Sequence, residues 1–353
     1  MDRNNNFYNG TMFNFDMDYT ERKKKQQKTF SRLFIALFVY MFSFQIITPA
    51  VYLLALYVFK IDPNAAFFTN PIIELLTSSG IQYLIAFPLF LLITIRMDVS
   101  EKKEKQKMGL GEFIILFAVA QTAMLAGSVI GSLLNTFIGA FLGKTPTNGV
   151  EAIITQTPMW LIFVLMVVVG PIVEEIIFRK VLIDRLSIYG DHIAIVFSAA
   201  AFGLMHGNLY QLFYAVLVGL VLGYVYTVTR DIKYPIIIHM LLNLLGSVVA
   251  IPVQRATEIF NEQLNAYLAS MNFDTVKLVT SGLISTVYTA FLYGMIISGI
   301  LVLVYRFRRR TIRISTDKES YLPDKEVLRG GISNIGSILF ISISAVFMLL
   351  SLF

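Results

Sequence analysis

The chain has 353 residues, of which 56% are hydrophobic and only 15% charged, and its mean hydropathy is +0.69. A composition this apolar excludes an ordinary soluble domain and marks a polytopic membrane protein. The net charge of +6 comes from short basic clusters beside apolar runs, so membrane topology accounts for it and no nucleic-acid partner is expected. With no cysteine there is no disulfide framework, thiolate nucleophile or cysteine metal site.

Residues 1–32 are polar and then basic, at Arg22, Lys23, Lys24, Lys25, Lys28 and Arg32, and read as a disordered cytoplasmic tail. The first apolar run, Leu33 to Phe59, is too long for a signal-peptide core and reads as a retained signal anchor. Further runs follow at Ser78–Ile95, Glu112–Phe137, Pro158–Leu182, Ile193–His206, Leu209–Val228, Tyr234–Ile251, Leu278–Tyr305 and Ile332–Leu352. The expected fold is therefore an all-α polytopic bundle of eight to nine transmembrane helices.

Of the 29 Lys and Arg, all but Lys60, Lys144, Arg255 and Lys277 fall on one side when the amino terminus is placed inside. That bias predicts a cytoplasmic amino terminus and, with nine spans, a carboxyl terminus outside. The organisation expected is a basic tail (1–32), amino-terminal spans (33–157), a motif-bearing core (158–251), a non-cytoplasmic amphipathic segment (252–277) and carboxyl-terminal spans (278–353). Within the fourth of these, Ile259, Phe260, Leu264, Tyr267, Leu268 and Met271 share one helical face, which suggests an interfacial helix or a lid over 256–271. Asp62–Leu76 shows the same pattern more weakly.

The fourth run contains the anomaly of the chain, Gly170-Pro171-Ile172-Val173-Glu174-Glu175-Ile176-Ile177-Phe178-Arg179. A charge at mid-bilayer costs about 2.5–3.5 kcal/mol, so these groups should face a protein-walled cavity. Glu175 and Arg179 are four apart with the acid first, the favourable order for a helical ion pair. Glu174 is rotated about 100° away and left without a local partner. Pro171 removes a backbone donor and predicts a kink near the acids.

Two of the three histidines also lie in apolar runs. His206 follows Phe202 by four residues, and His239 precedes Asn243 by four. His192, in a Tyr-Gly-Asp-His turn, reads as a solvated loop residue. Each intramembrane histidine alone reads as a packing residue. Several spans carrying polar groups at comparable depth imply that the groups meet, in a cavity expected to open to the cytoplasm.

Such a set suits water activation, with a buried carboxylate as general base and a histidine sharing the water. A second histidine and an asparagine suit a developing oxyanion. The serine nucleophile-elbow and the His-Glu-x-x-His zinc motif are both absent. Two other readings stay open: a metal-dependent hydrolase using two Glu and two His, and a non-catalytic immunity or scaffold protein whose polar cluster only specifies packing.

Glu174-Glu175-x-x-x-Arg179, Phe202-x-x-x-His206 and His239-x-x-x-Asn243, in this order, resemble the CAAX protease and bacteriocin-processing (ABI) family of intramembrane glutamate endopeptidases. The resemblance covers about Trp160 to Ser247. It implies a CAAX-protease-like helical core in which Glu174 and His206 activate water, His239 and Asn243 form the oxyanion site, and Glu175 and Arg179 brace the cavity. It further implies no cofactor and no metal. The implied partners are membrane lipid and a peptide or membrane-anchored protein tail, prenylated or plain, in bacteriocin-related or CAAX-type processing. The setting implied is a bacterial cell membrane.

Overall fold

In lipid an apolar backbone must satisfy its hydrogen bonds internally, and every regular element among the described residues is helical. The computed structural model describes residues 5–101, 103–143, 157–312, 314–315, 318–320 and 322–352. Arg3, Lys102, Lys144 and Arg313, which enter the charge asymmetry, lie outside the described residues, as does the connection 144–156.

The helices are α1 (Asn5–Tyr57), α2 (Pro71–Thr94), α3 (Leu110–Leu142), α4 (Met159–Tyr189), α5 (Asp191–Met205), α6 (Leu209–Thr229), α7 (Lys233–Leu268), α8 (Thr275–Arg309), α9 (Asp324–Ile332) and α10 (Ile335–Leu350). Seven of them, α1 to α4 and α6 to α8, are long and apolar enough to cross a membrane, and an eighth crossing results if α9 and α10, bent by 59°, form one span. The fifth expected span, Ile193–His206, is the 15-residue α5. At 1.5 Å per residue it covers about 22 Å, short of a hydrocarbon core of about 30 Å.

Three expectations are corrected. The tail expected to be disordered is helical from Asn5 onward and continuous with the first span. It is held by tertiary contacts: Gln26 Nε2 donates to the Val327 carbonyl at 2.8 Å, Lys23 pairs with Glu326 at 2.8 Å, and Phe30 is fully buried. The amphipathic stretch 256–271 does not form a separate interfacial helix. To Leu268 it continues α7, and it packs along α8 through Thr257 and Ser285, 2.9 Å apart, and through Phe260 against Gly282. Phe260 of its apolar face thus meets a neighbouring helix, while Tyr267, Leu268 and Met271 of that face stay exposed. The Asp62–Leu76 segment is divided between the short turn Ala66–Thr69 and the first residues of α2.

Small residues set the helix spacing near the site, as expected where lipid supplies no hydrophobic drive between helices. A Cβ on Gly127 of α3 would fall 2.3 Å from the Tyr214 Cα of α6, and one on Gly203 of α5 would fall 2.8 Å from the Leu212 carbonyl. The main apolar core joins Phe30, Leu33 and Leu37 of α1 to Ile177, Phe178 and Leu182 of α4, to Ala194, Phe197 and Phe202 of α5, and to Phe340 of α10. A second cluster joins α3, α6 and α7 through Leu116, Ala120, Leu222, Ile238 and Leu242.

Between α2 and α3 the basic connection is a strap across the ends of the site helices. Ser100 N–H donates to the Asp184 carbonyl at 2.9 Å, Gln106 N–H to the Thr229 carbonyl at 2.8 Å, and Met108 N–H to the Tyr234 hydroxyl at 2.9 Å. Lys103 pairs with Asp191 at 3.3 Å, and Arg230 shares the same carboxylate.

Gly127→Ala is expected to destabilise the protein by about 1–3 kcal/mol through overpacking, because the obstacle is backbone. Gly80→Ala, where a Cβ meets nothing within 4 Å, is expected to leave the thermal midpoint in detergent unchanged or raised.

Candidate active site

The motif side chains gather around one aromatic ring, that of Phe202 on α5. The Arg179 guanidinium lies 4.8 Å from the ring centre, and the rings of His206 and His239 stand nearly perpendicular to it at 5.0 and 5.7 Å. α4, α5 and α7 therefore meet at this point.

Glu175 and Arg179 are both fully buried and form the expected ion pair, Nε to Oε2 at 3.0 Å. The second Glu175 oxygen accepts from His239 Nδ1 at 2.9 Å, since a carboxylate can only accept. The other His239 nitrogen lies 3.7 Å from Glu174 Oε2, close enough to interact electrostatically but too far for a hydrogen bond. His239 thus stands between the two carboxylates. The Arg179 Nη atoms have no hydrogen-bond partner among the described residues, and the face of Phe202 covers them, a cation–π arrangement.

Glu174 is the accessible acid, with 19% of its side chain exposed against 0% for Glu175. Along α4 toward the basic strap, Phe178, Arg179 and Leu182 are all fully buried.

His206 directly follows α5 and precedes Gly207, whose φ of +62° suits glycine in the turn to α6. Asn208 caps α6 by accepting from Gln211 N–H at 2.9 Å. His206 Nδ1 lies 2.8 Å from the Phe202 carbonyl. A carbonyl can only accept, so Nδ1 carries the proton and Nε2 keeps a lone pair in the neutral ring.

The kink expected at Pro171 takes a specific form. α4 widens into π turns over Phe163–Val169 and Ile176–Ile183, on either side of the α-helical Gly170–Glu175. Such turns are frequent at functional sites. Gly170 N–H bonds the Leu165 carbonyl five residues back. In the same pattern the missing Pro171 N–H would have served Met166. The Met166 carbonyl instead accepts from Asn243 Nδ2 of α7 at 2.8 Å, which leaves Asn243 one amide hydrogen.

His192 lies away from this cluster, 3.0 Å from Asp324. Among the described residues no three His, Asp or Glu side chains are arranged to hold a metal ion. Sequence reasoning missed a set of tyrosines. The Tyr83 hydroxyl of α2 lies against Gly170 of α4, the Tyr214 ring of α6 stands 6.4 Å from the His206 ring, and Tyr40 of α1 accepts from Gln82 Nε2 at 2.9 Å. A tyrosine in an apolar run has no spacing signal, and only the tertiary fold brings these near Glu174.

Residues 156–245 match the family described as type II CAAX prenyl endopeptidase Rce1-like. The chain is 28% identical over 158 residues to the Bacillus subtilis protein named "Putative membrane peptidase YdiL", a match covering 44% of this chain and 63% of that protein, less than two thirds of its length. It is also 28% identical over 172 residues to the Staphylococcus aureus "Membrane-embedded CAAX protease MroQ", covering 46% of this chain and 69% of that one. No solved structure matches the chain.

Removing one partner of a buried ion pair leaves an uncompensated charge and costs about 3–5 kcal/mol. Glu175→Leu and Arg179→Met are each expected to lower the thermal midpoint in detergent markedly. The double substitution is expected to recover part of that loss.

Proposed function

We propose that this chain, which over residues 156–245 belongs to the Rce1-like CAAX protease family, is a metal-independent intramembrane glutamate endopeptidase. The observation that carries the reading is the clustering of Arg179, His206 and His239, from three helices, around Phe202, with Glu175 and Glu174 on either side of His239. Glu174 is the accessible carboxylate, and His206 has its Nδ1 proton fixed on a carbonyl so that Nε2 can accept. That pairing supports a water molecule held between them.

In this reading the water oxygen adds to the carbonyl carbon of the scissile bond and Glu174 takes the water proton. The carbonyl electron pair moves to oxygen, facing the remaining Asn243 amide hydrogen, while His239 stands beside Glu174. Glu174 then returns the proton to the amide nitrogen as the C–N bond breaks. Glu175 and Arg179 are positioning residues that hold His239 and α4. No cofactor enters these steps.

The substrate class is a peptide or the tail of a membrane-anchored protein, in CAAX-type or bacteriocin-related processing. A peptidase embedded in the bilayer meets such tails at the membrane, and a prenyl group would concentrate them there. The bacterial origin of both relatives and the charge asymmetry support a bacterial cell membrane with a cytoplasmic amino terminus.

The test is cleavage of a panel of fluorogenic peptides, prenylated and plain, by protein purified in detergent. Glu174→Gln and His206→Ala are each expected to lower kcat by about 10²–10⁴-fold while remaining folded, with no effect of chelator on the wild type. Loss of wild-type activity on chelation would move the Glu and His residues into metal-binding roles. Folded wild type that cleaves nothing on the panel would overturn the enzyme reading in favour of an immunity or scaffold protein.

A further inference from the structure

An oxyanion developing opposite Glu174 needs hydrogen-bond donors aimed at it, and the two residues that the motif pattern offers are largely committed. His239 uses Nδ1–H on Glu175. Asn243 spends one amide hydrogen on the Met166 carbonyl. One free amide hydrogen remains where sites of this kind use two or more donors.

The missing donor is visible on α2, outside the family-matched segment. A Cβ on Gly170 would meet the Tyr83 hydroxyl oxygen at 3.4 Å, so this hydroxyl sits against the backbone of α4 one turn before Glu174. Met166, Gly170 and Glu174 follow at intervals of four, so the Asn243 anchor, the Tyr83 contact and the acid share one side of α4. The Tyr83 hydroxyl has no hydrogen-bond partner among the described residues. Its neighbour Gln82 is engaged with Tyr40, which ties α2 to α1 at this level. A Cβ on Gly170 would be tight against the Leu165 carbonyl at 3.1 Å and in ordinary contact with the Tyr83 hydroxyl at 3.4 Å.

We propose that Tyr83 is a further catalytic residue, whose hydroxyl donates a hydrogen bond to the carbonyl oxygen of the scissile bond as water adds to its carbon, completing with Asn243 a two-donor oxyanion site. No proton is transferred to or from Tyr83. The phenol stays neutral while the carbonyl electron pair moves onto oxygen and back again as the C–N bond breaks. The inference deepens the peptidase reading and rests on it. It assigns chemistry to the amino-terminal spans, which otherwise only enclose the core.

Tyr83→Phe keeps the ring and removes only the donor, so the variant should fold. Its kcat for a cleaved peptide of the panel is expected to fall about 100-fold with KM and thermal midpoint unchanged, as for loss of one oxyanion donor. A non-cleavable phosphonate analogue of the same peptide, which presents a tetrahedral anion, is expected to lose inhibitory affinity by a similar factor. Unchanged kcat and unchanged phosphonate inhibition in folded Tyr83→Phe would overturn the assignment while leaving the peptidase reading intact, provided that Glu174→Gln is inactive. Full activity in Glu174→Gln, or none in the wild type, would instead remove the reading on which the assignment rests.

Discussion

The ion pair between Glu175 and Arg179 constrains everything around it. Both side chains are fully buried, so neither charge can be relieved by water, and each must find its partners inside the protein. Arg179 finds one carboxylate oxygen and an aromatic face; Glu175 finds Arg179 and His239. α4, α5 and α7 are fixed in relative rotation as a result. A buried pair of this kind is weak as a source of stability, but it admits few alternative packings. The neighbouring Glu174 stays partly exposed, 3.7 Å from His239.

A second constraint comes from the backbone. Pro171 deprives α4 of a donor, and the π turns on either side shift which carbonyl is left over. In lipid an unpaired carbonyl is costly, and Asn243 of α7 supplies the bond. The same side chain thereby ties α7 to α4 a second time, above the His239 contact. With the Phe202 ring of α5 between Arg179 and His239, these two ties make the site a property of three helices and not of one motif.

The residues of the candidate site were legible in the sequence because helical spacing is local. Glu175 with Arg179, Phe202 with His206 and His239 with Asn243 are all four residues apart, and charge in an apolar run is its own signal. The fifth and sixth runs, Ile193–His206 and Leu209–Val228, are likewise separated in the sequence by Gly207 and Asn208 alone. What lay outside the reach of pattern depended on long-range contact. Residues 18–32 look like a solvated tail until Val327 and Glu326 are brought against them. The amphipathic stretch at 256–268 looks like a separate helix until it is seen to continue α7 and to meet α8 at Thr257 and Phe260. The strap at 96–108 is a basic loop until its amides meet Asp184, Thr229 and Tyr234. Tyr40 and Tyr83, three and two spans away from Glu174 along the chain, carry no periodic signature at all.

The central claim is that a carboxylate–histidine pair hydrolyses the peptide bond by direct attack of water, with no acyl-enzyme. The most direct measurement is cleavage in water labelled with heavy oxygen, with an added amine nucleophile present, followed by mass spectrometry of the products. The account predicts that the new carboxyl group carries a single labelled oxygen and that no peptide–amine adduct forms at any amine concentration. An adduct that increases with amine would contradict it, because it would require a covalent intermediate on a side chain that this mechanism leaves unmodified.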